Sequence, residues 1–164
     1  MRRRVALTVA LMASAVLFAA LASTGSADHP GSQTLTFVER NAQGNFEFVD
    51  HPPKAPRRSE RVSAGDMLLG NNALYNAANT RRVGRLFFKC TAVRGAKRFE
   101  RAAFLCEVAV RLSDGTLAAS VLFRGGATGG PVIGGSGAYE GASGGFAIDE
   151  RRRISVDTFH FDTE

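Results

Sequence analysis

From Thr34 the chain alternates with a period of two. Leu35, Phe37, Glu39 and Asn41 fall on one face, and Thr36, Val38 and Arg40 on the other, the pattern of a strand. Phe46-Glu47-Phe48-Val49 is a second short run, and Asp66-Met67-Leu68-Leu69 resumes the sheet after a polar, proline-rich loop between Asp50 and Gly65. Asn71 to Thr80 reads as a loop. The strongest strand signals lie in the middle, where Val83 to Val93 and Phe99 to Leu112 are rich in β-branched and aromatic residues. Arg94-Gly95-Ala96-Lys97-Arg98 separates them as a hairpin turn, which sets Cys90 roughly opposite Cys106 and within reach of a cross-strand bond, a register that a one-residue slip would spoil. Asp114-Gly115 predicts a two-residue turn of the primed type, with Leu117 to Phe123 pairing back. Gly134 to Gly144 holds five glycines around Tyr139, as a turn or a tightly curved barrel edge entered and left by strands requires. Arg151-Arg152-Arg153 makes a last turn, and Ile154 to Phe161 closes the chain as a strand. Beyond the N-terminal segment no window of ten or more residues keeps a helical period. About eight strands joined mostly by short turns imply an antiparallel barrel or sandwich, and closure as a barrel would remove exposed edges.

Composition narrows this picture. At 164 residues the chain has room for one domain. Arg2-Arg3-Arg4 followed by an apolar run from Val5 to Leu21 and small residues reads as a secretory signal over residues 1–27, with cleavage after Ala22 or Ala27. The alternative is a retained anchor, the only membrane attachment the sequence suggests. The mature domain, 28–164, is therefore expected outside the cell, where two cysteines are read first as a disulfide. The formal charge of +6 falls to +3 without Arg2 to Arg4. Pro56-Arg57-Arg58 and Arg151-Arg152-Arg153 lack interleaved aromatics, so no nucleic-acid partner is expected. No metal is expected either, because His29, His51 and His160 are scattered relative to the two thiols. The glycine run is neither a dinucleotide fingerprint, whose third glycine would fall on Glu140, nor a P-loop, since no lysine follows. No cofactor is implied.

Three blocks resemble the allene oxide cyclase and dirigent barrels of plants. Gly65-Asp66-Met67-Leu68-Leu69-Gly70-Asn71-Asn72-Ala73-Leu74-Tyr75-Asn76 is similar to a G-D-x-x-x-x-x-N-x-L-Y segment, and Val83-Gly84-Arg85 to the start of the next strand. Val132 to Gly144 resembles the signature G-G-[ST]-G-x-[FY]-x-G/A-x-x-G, the most specific of the three. The resemblance implies an eight-stranded antiparallel calycin-like β-barrel, often trimeric, with an apolar cavity at one mouth. Cyclases of this kind fold an unstable fatty-acid epoxide into a cyclopentenone, and dirigents guide the coupling of phenoxy radicals.

Carried over by position, Glu39 matches the catalytic carboxylate, Asn41 a polar neighbour, Asn72 an asparagine holding an ordered water, and Cys90 a cavity-lining cysteine. Phe37, Phe88 and Tyr139 complete the candidate ligand or water contacts. The strand pattern agrees, because Glu39 and Asn41 share a face with Leu35 and Phe37. If that face is the interior, the carboxylate is buried, with a raised pKa suited to proton or charge-stabilising work. If it is a solvated mouth, Glu39 is an ordinary rim residue, and Tyr139 is equally readable as a core aromatic packed on the glycines. The sequence also departs from both relatives. Ala42-Gln43-Gly44-Asn45 stands where cyclases place a proline, and Ala138 and Ser143 replace an acid and an arginine of dirigents. The expected activity is an isomerase or cyclase acting on an apolar or aromatic small molecule; the alternatives are a lipocalin-like carrier and a structural protein of the cell envelope.

Overall fold

A computed structural model describes residues 31–51, 60–124 and 128–163. The basic pair Arg57-Arg58 and the N-terminal segment read as a signal lie outside the described residues. No helix among the described residues is long and apolar enough to cross a membrane.

Nine strands follow one another: β1 Gln33–Arg40, β2 Asn45–Val49, β3 Met67–Asn76, β4 Arg82–Arg94, β5 Ala103–Arg111, β6 Gly115–Phe123, β7 Thr128–Gly137, β8 Ser143–Glu150 and β9 Ile154–Asp162. From β3 to β9 each strand pairs antiparallel with the next, β9 pairs with β1, and β1 returns to β3. Eight strands thus close a barrel. β2 prolongs β1 along the same edge of β3, after a 3-10 turn at Asn41–Gln43. At the closing seam, the Arg40 guanidinium lies 3.8 Å from the centre of the Tyr75 ring, and its Nε donates to Asn79 Oδ1 at 2.9 Å. That cation–π contact and hydrogen bond hold together two strands that share only three paired positions.

The period of two sorts the interior. Leu86, Cys90 and Ala92 on β4, Phe104, Cys106, Val108 and Val110 on β5, and Leu117, Ala119 and Val121 on β6 are all buried. One end of the lumen is filled with aromatic rings. Phe146 stacks on Phe159 with centroids 4.3 Å apart, Phe37 meets Phe159 edge-on at 6.1 Å, and Tyr139 meets Phe161 at 5.9 Å. The cavity lined by Glu39 and the disulfide lies towards the opposite mouth.

Cys90 and Cys106 are register partners on β4 and β5 and form a disulfide, as the hairpin predicts. The bond closes a loop with a sequence separation of 16. Replacing both cysteines with serine is expected to cost about 2–4 kcal/mol in urea unfolding. Identical midpoints for the variant and the oxidised wild type would contradict this.

Three local expectations are corrected. Most of Asn71 to Thr80 is not a loop, because β3 runs on to Asn76. Asparagine is a poor strand former, but Asn72 turns inward and caps the Arg40 carbonyl, while Leu74 is wholly buried. The true turn is the short one after Asn76, whose side chain accepts from the Thr80 and Arg81 amides. The β5–β6 turn is centred on Ser113-Asp114, closed by Leu112 N to Gly115 O at 2.9 Å, and neither central residue has positive φ. It is therefore not of the primed type, and Gly115 opens β6, its missing Cβ admitting the Ser136 carbonyl. Finally, Phe99–Arg101 is a 3-10 turn, so β5 starts only at Ala103.

Candidate active site in the barrel mouth

Glu39 is the last inward residue but one of the β1 run, two positions beyond Phe37, and β9 faces it with Ser155. On β9, Ser155, Asp157, Phe159 and Phe161 alternate inward, so Asp157 sits one layer deeper than Glu39, above the aromatic plug. On β8 the same face carries Phe146, Ile148 and Glu150. Asn72 of β3 adds its amide from across the seam, 2% exposed. Glu39, Asn41, Asn72, Glu150 and Ser155 form the polar wall of a cavity of about 230 Å³, with Asp157 behind it. The remaining wall is apolar: Leu68, Leu86, Phe88, Val108, Val121, Phe123 and the Cys90–Cys106 disulfide. Phe46, in ring contact with Phe88 at 5.8 Å, and the exposed Glu150 stand at its opening. A broader concavity on the outer face, near Phe87, Lys89 and Ile133, carries no comparable buried polar wall.

The carboxyls govern the electrostatics. Burial pushes the Glu39 carboxyl above its ordinary value; hydrogen bonds from Asp157 and Asn72 pull back against that rise, and the Glu150 charge adds to it. Asp157 is raised much further, first by burial, then by the neighbouring Glu39 charge. It is 0% exposed, and with both acids ionised neither of its oxygens has a hydrogen-bond partner. A proton on Asp157 resolves the conflict, because the protonated acid becomes a donor to Glu39. The pair thus favours holding a proton between the two acids, and the deeper Asp157 is the more strongly raised of the two.

The sign of the resulting pH effect follows. Both folded carboxyls bind protons more tightly than their unfolded counterparts, so their contribution to stability is largest below the unfolded carboxyl range and is lost as pH rises through the folded values. Asp157→Asn, whose amide can donate to Glu39 at any pH, is expected to flatten this decline and gain about 1–3 kcal/mol at pH 8. Urea unfolding at pH 5 and pH 8 checks it; parallel wild-type and variant values would refute the shared proton.

The two asparagines, expected as a polar neighbour of the acid and as a water-holding group, are both hydrogen-bonded within the protein. Asn41 Nδ2 donates to Arg151 O at 3.2 Å, and its Oδ1 accepts from Ser155 Oγ at 3.3 Å, so its amide ties the β8–β9 turn to the seam. Asn72 Nδ2 donates to Arg40 O at 3.4 Å as well as towards Glu39, and its Oδ1 accepts from Ala73 N at 2.9 Å. Phe88 and Cys90 line the cavity; Phe37 belongs to the plug below it. Tyr139 lies away from this cavity, its hydroxyl donating to Asp114 Oδ1 at 2.9 Å and pushed up to about 12 by burial and that carboxylate. It packs on the glycine-rich strand, where a Cβ at Gly135 would strike the Tyr139 carbonyl. Asp157, Glu150 and Ser155 are site residues that the sequence reading missed. The available signal was Asp157 in phase with Phe159 and Phe161, an acid on an aromatic face. Among the described residues no group of three or more His, Cys, Asp or Glu side chains is disposed to hold a metal ion.

No protein-family model matches the chain, and no curated protein matches it in sequence. Solved structures do. A pyocyanin demethylase is similar with a TM-score of 0.60 at 16% identity, over 79% of this chain and 98% of that one. The pterocarpan synthase dirigent protein PsPTS1 matches with a TM-score of 0.60 at 15% identity, over 82% and 97%. AbnU, an exo-specific intermolecular Diels-Alderase, matches with a TM-score of 0.54 at 15% identity, over 79% and 96%. The chain therefore has the closed antiparallel barrel of dirigent proteins and Diels-Alderases, the allene oxide cyclase-like fold that its sequence resembles.

Proposed function

We propose that the protein is an exported barrel that binds an apolar or aromatic small molecule in the mouth cavity and steers its cyclisation or isomerisation. The observation that carries this reading is a carboxylate, Glu39, backed by the buried acid Asp157, on one wall of an otherwise apolar enclosure. Such an enclosure holds a flexible substrate in a reactive shape and excludes water, which accounts for most of the rate gain. Glu39 polarises the substrate or takes a proton and returns it, leaving composition unchanged as an isomerisation requires. The similarity to a Diels-Alderase and a dirigent protein supports a role in ring closure, and the disulfide supports an oxidising compartment outside the cytoplasm. The sequence resemblance to allene oxide cyclase and dirigent barrels extends the proposal to a homo-oligomer, a trimer.

Native mass spectrometry of the purified protein tests this directly. The expected result is a retained small molecule which, on incubation, gives a product of identical mass and altered chromatographic retention. Release of the molecule unchanged would favour a carrier. Failure of any apolar dye to find a protected site would remove the binding function and leave a structural role.

A further inference from the structure

Resting on that reading, we propose that the ligand presents a hydrogen-bond-donating or cationic group to Glu39, and that the cavity rejects molecules whose polar end is a carboxylate. The polar wall has acceptors to offer and few donors. Glu39 faces the cavity, Asp157 stands behind it, and Glu150 flanks the opening. The groups that could have donated are engaged within the protein. Ser155 Oγ donates to Asn41 Oδ1, Asn41 Nδ2 to the Arg151 carbonyl, and Asn72 Nδ2 to the Arg40 carbonyl and towards Glu39.

Cations are also held elsewhere. No Lys, Arg or His is among the described residues lining the cavity. Arg40, next in sequence to Glu39, turns outward onto Tyr75 and Asn79, and Arg151 pairs with Asp149 at 2.8 Å. A ligand carboxylate would therefore lose its hydration and meet like charge with no compensating donor. An ammonium, a protonated ring nitrogen or a phenol meets the opposite situation, because it supplies the donor that Glu39 lacks on its cavity side. The Phe46–Phe88 pair at the opening adds aromatic faces that favour a cation over an anion.

A matched naphthalene series separates this inference from the reading beneath it. Binding of naphthalen-1-ylmethylammonium, 1-naphthol, naphthalene and 1-naphthoate to the purified protein is measured at pH 7 by calorimetry, with amide chemical shifts locating each probe. The ammonium is expected to bind at least about 10-fold more tightly than the naphthoate, with naphthol between them. Glu39→Gln should narrow that ratio several-fold while naphthalene binding persists. Glu150→Gln, at an exposed position that does not endanger folding, should narrow it as well. Naphthoate binding as tightly as the ammonium would overturn the charge selectivity and leave the cavity reading standing. No cavity shifts with any of the four probes would overturn both.

Discussion

Glu39→Gln is expected to lower turnover of the retained substrate by about 10²–10⁴-fold, the range a positioned acid or base contributes. Glutamine fills the same volume and can still take up a hydrogen bond from Asp157, so the barrel and the cavity should persist. It cannot accept a full proton or carry the negative charge that stabilises a developing cation. The loss should therefore appear in kcat more than in KM, because ligand contacts with Leu86, Phe88 and Val121 are untouched. Progress curves for wild type and variant on the same substrate check it. Equal turnover would remove Glu39 from the chemistry and leave cavity shape alone as the agent.

The second large effect concerns what keeps the cavity at one end. Phe159→Ala is expected to destabilise the protein by about 3–5 kcal/mol, the cost of emptying a large aromatic site. Phe159 is 0% exposed, stacked on Phe146 and met edge-on by Phe37, so no neighbour is placed to refill the volume. Loss of the plug also lets water reach Asp157 from below and weakens its hold on the shared proton. Urea unfolding gives the stability change. A cost below 1 kcal/mol would mean that the lumen collapses readily and that the plug does not define the floor.

The legible parts of the molecule are those where one face is apolar over several residues. β4 and β5 are long and alternate cleanly, so a hairpin that brings Cys90 near Cys106 is legible. A turn at Arg94–Arg98 alone would pair Cys90 with Ala102, and the observed register comes from the longer connection with its 3-10 turn at Phe99–Arg101. Glu39 is placed inward by its phase with Leu35 and Phe37. The last strand hides its polarity, because Ile154 and Val156 on one face compete with Phe159 and Phe161 on the other. Which face turns inward is decided by pairing with β1 and β8, a nonlocal fact, and Asp157 is concealed by the same ambiguity. The Asn71 to Thr80 stretch misleads for a related reason. Its asparagines read as turn formers, but Asn72 takes its place in a strand through bonds to β1 backbone that no local window contains. Asn41 was legible as a neighbour of the acid, yet its engagement by the β8–β9 turn rests on residues more than a hundred positions away.

Side-chain carboxyl carbons of Glu39 and Asp157, followed by NMR from pH 3 to pH 9, give the most direct test of the shared proton on which the proposed chemistry depends. The predicted result is linked titration, with Asp157 keeping its proton to higher pH than Glu39 and the Glu39 signal moving again as that last proton leaves. Two independent transitions near the ordinary carboxylate range, at about pH 4, would contradict it: the acids would then be separate, solvated groups.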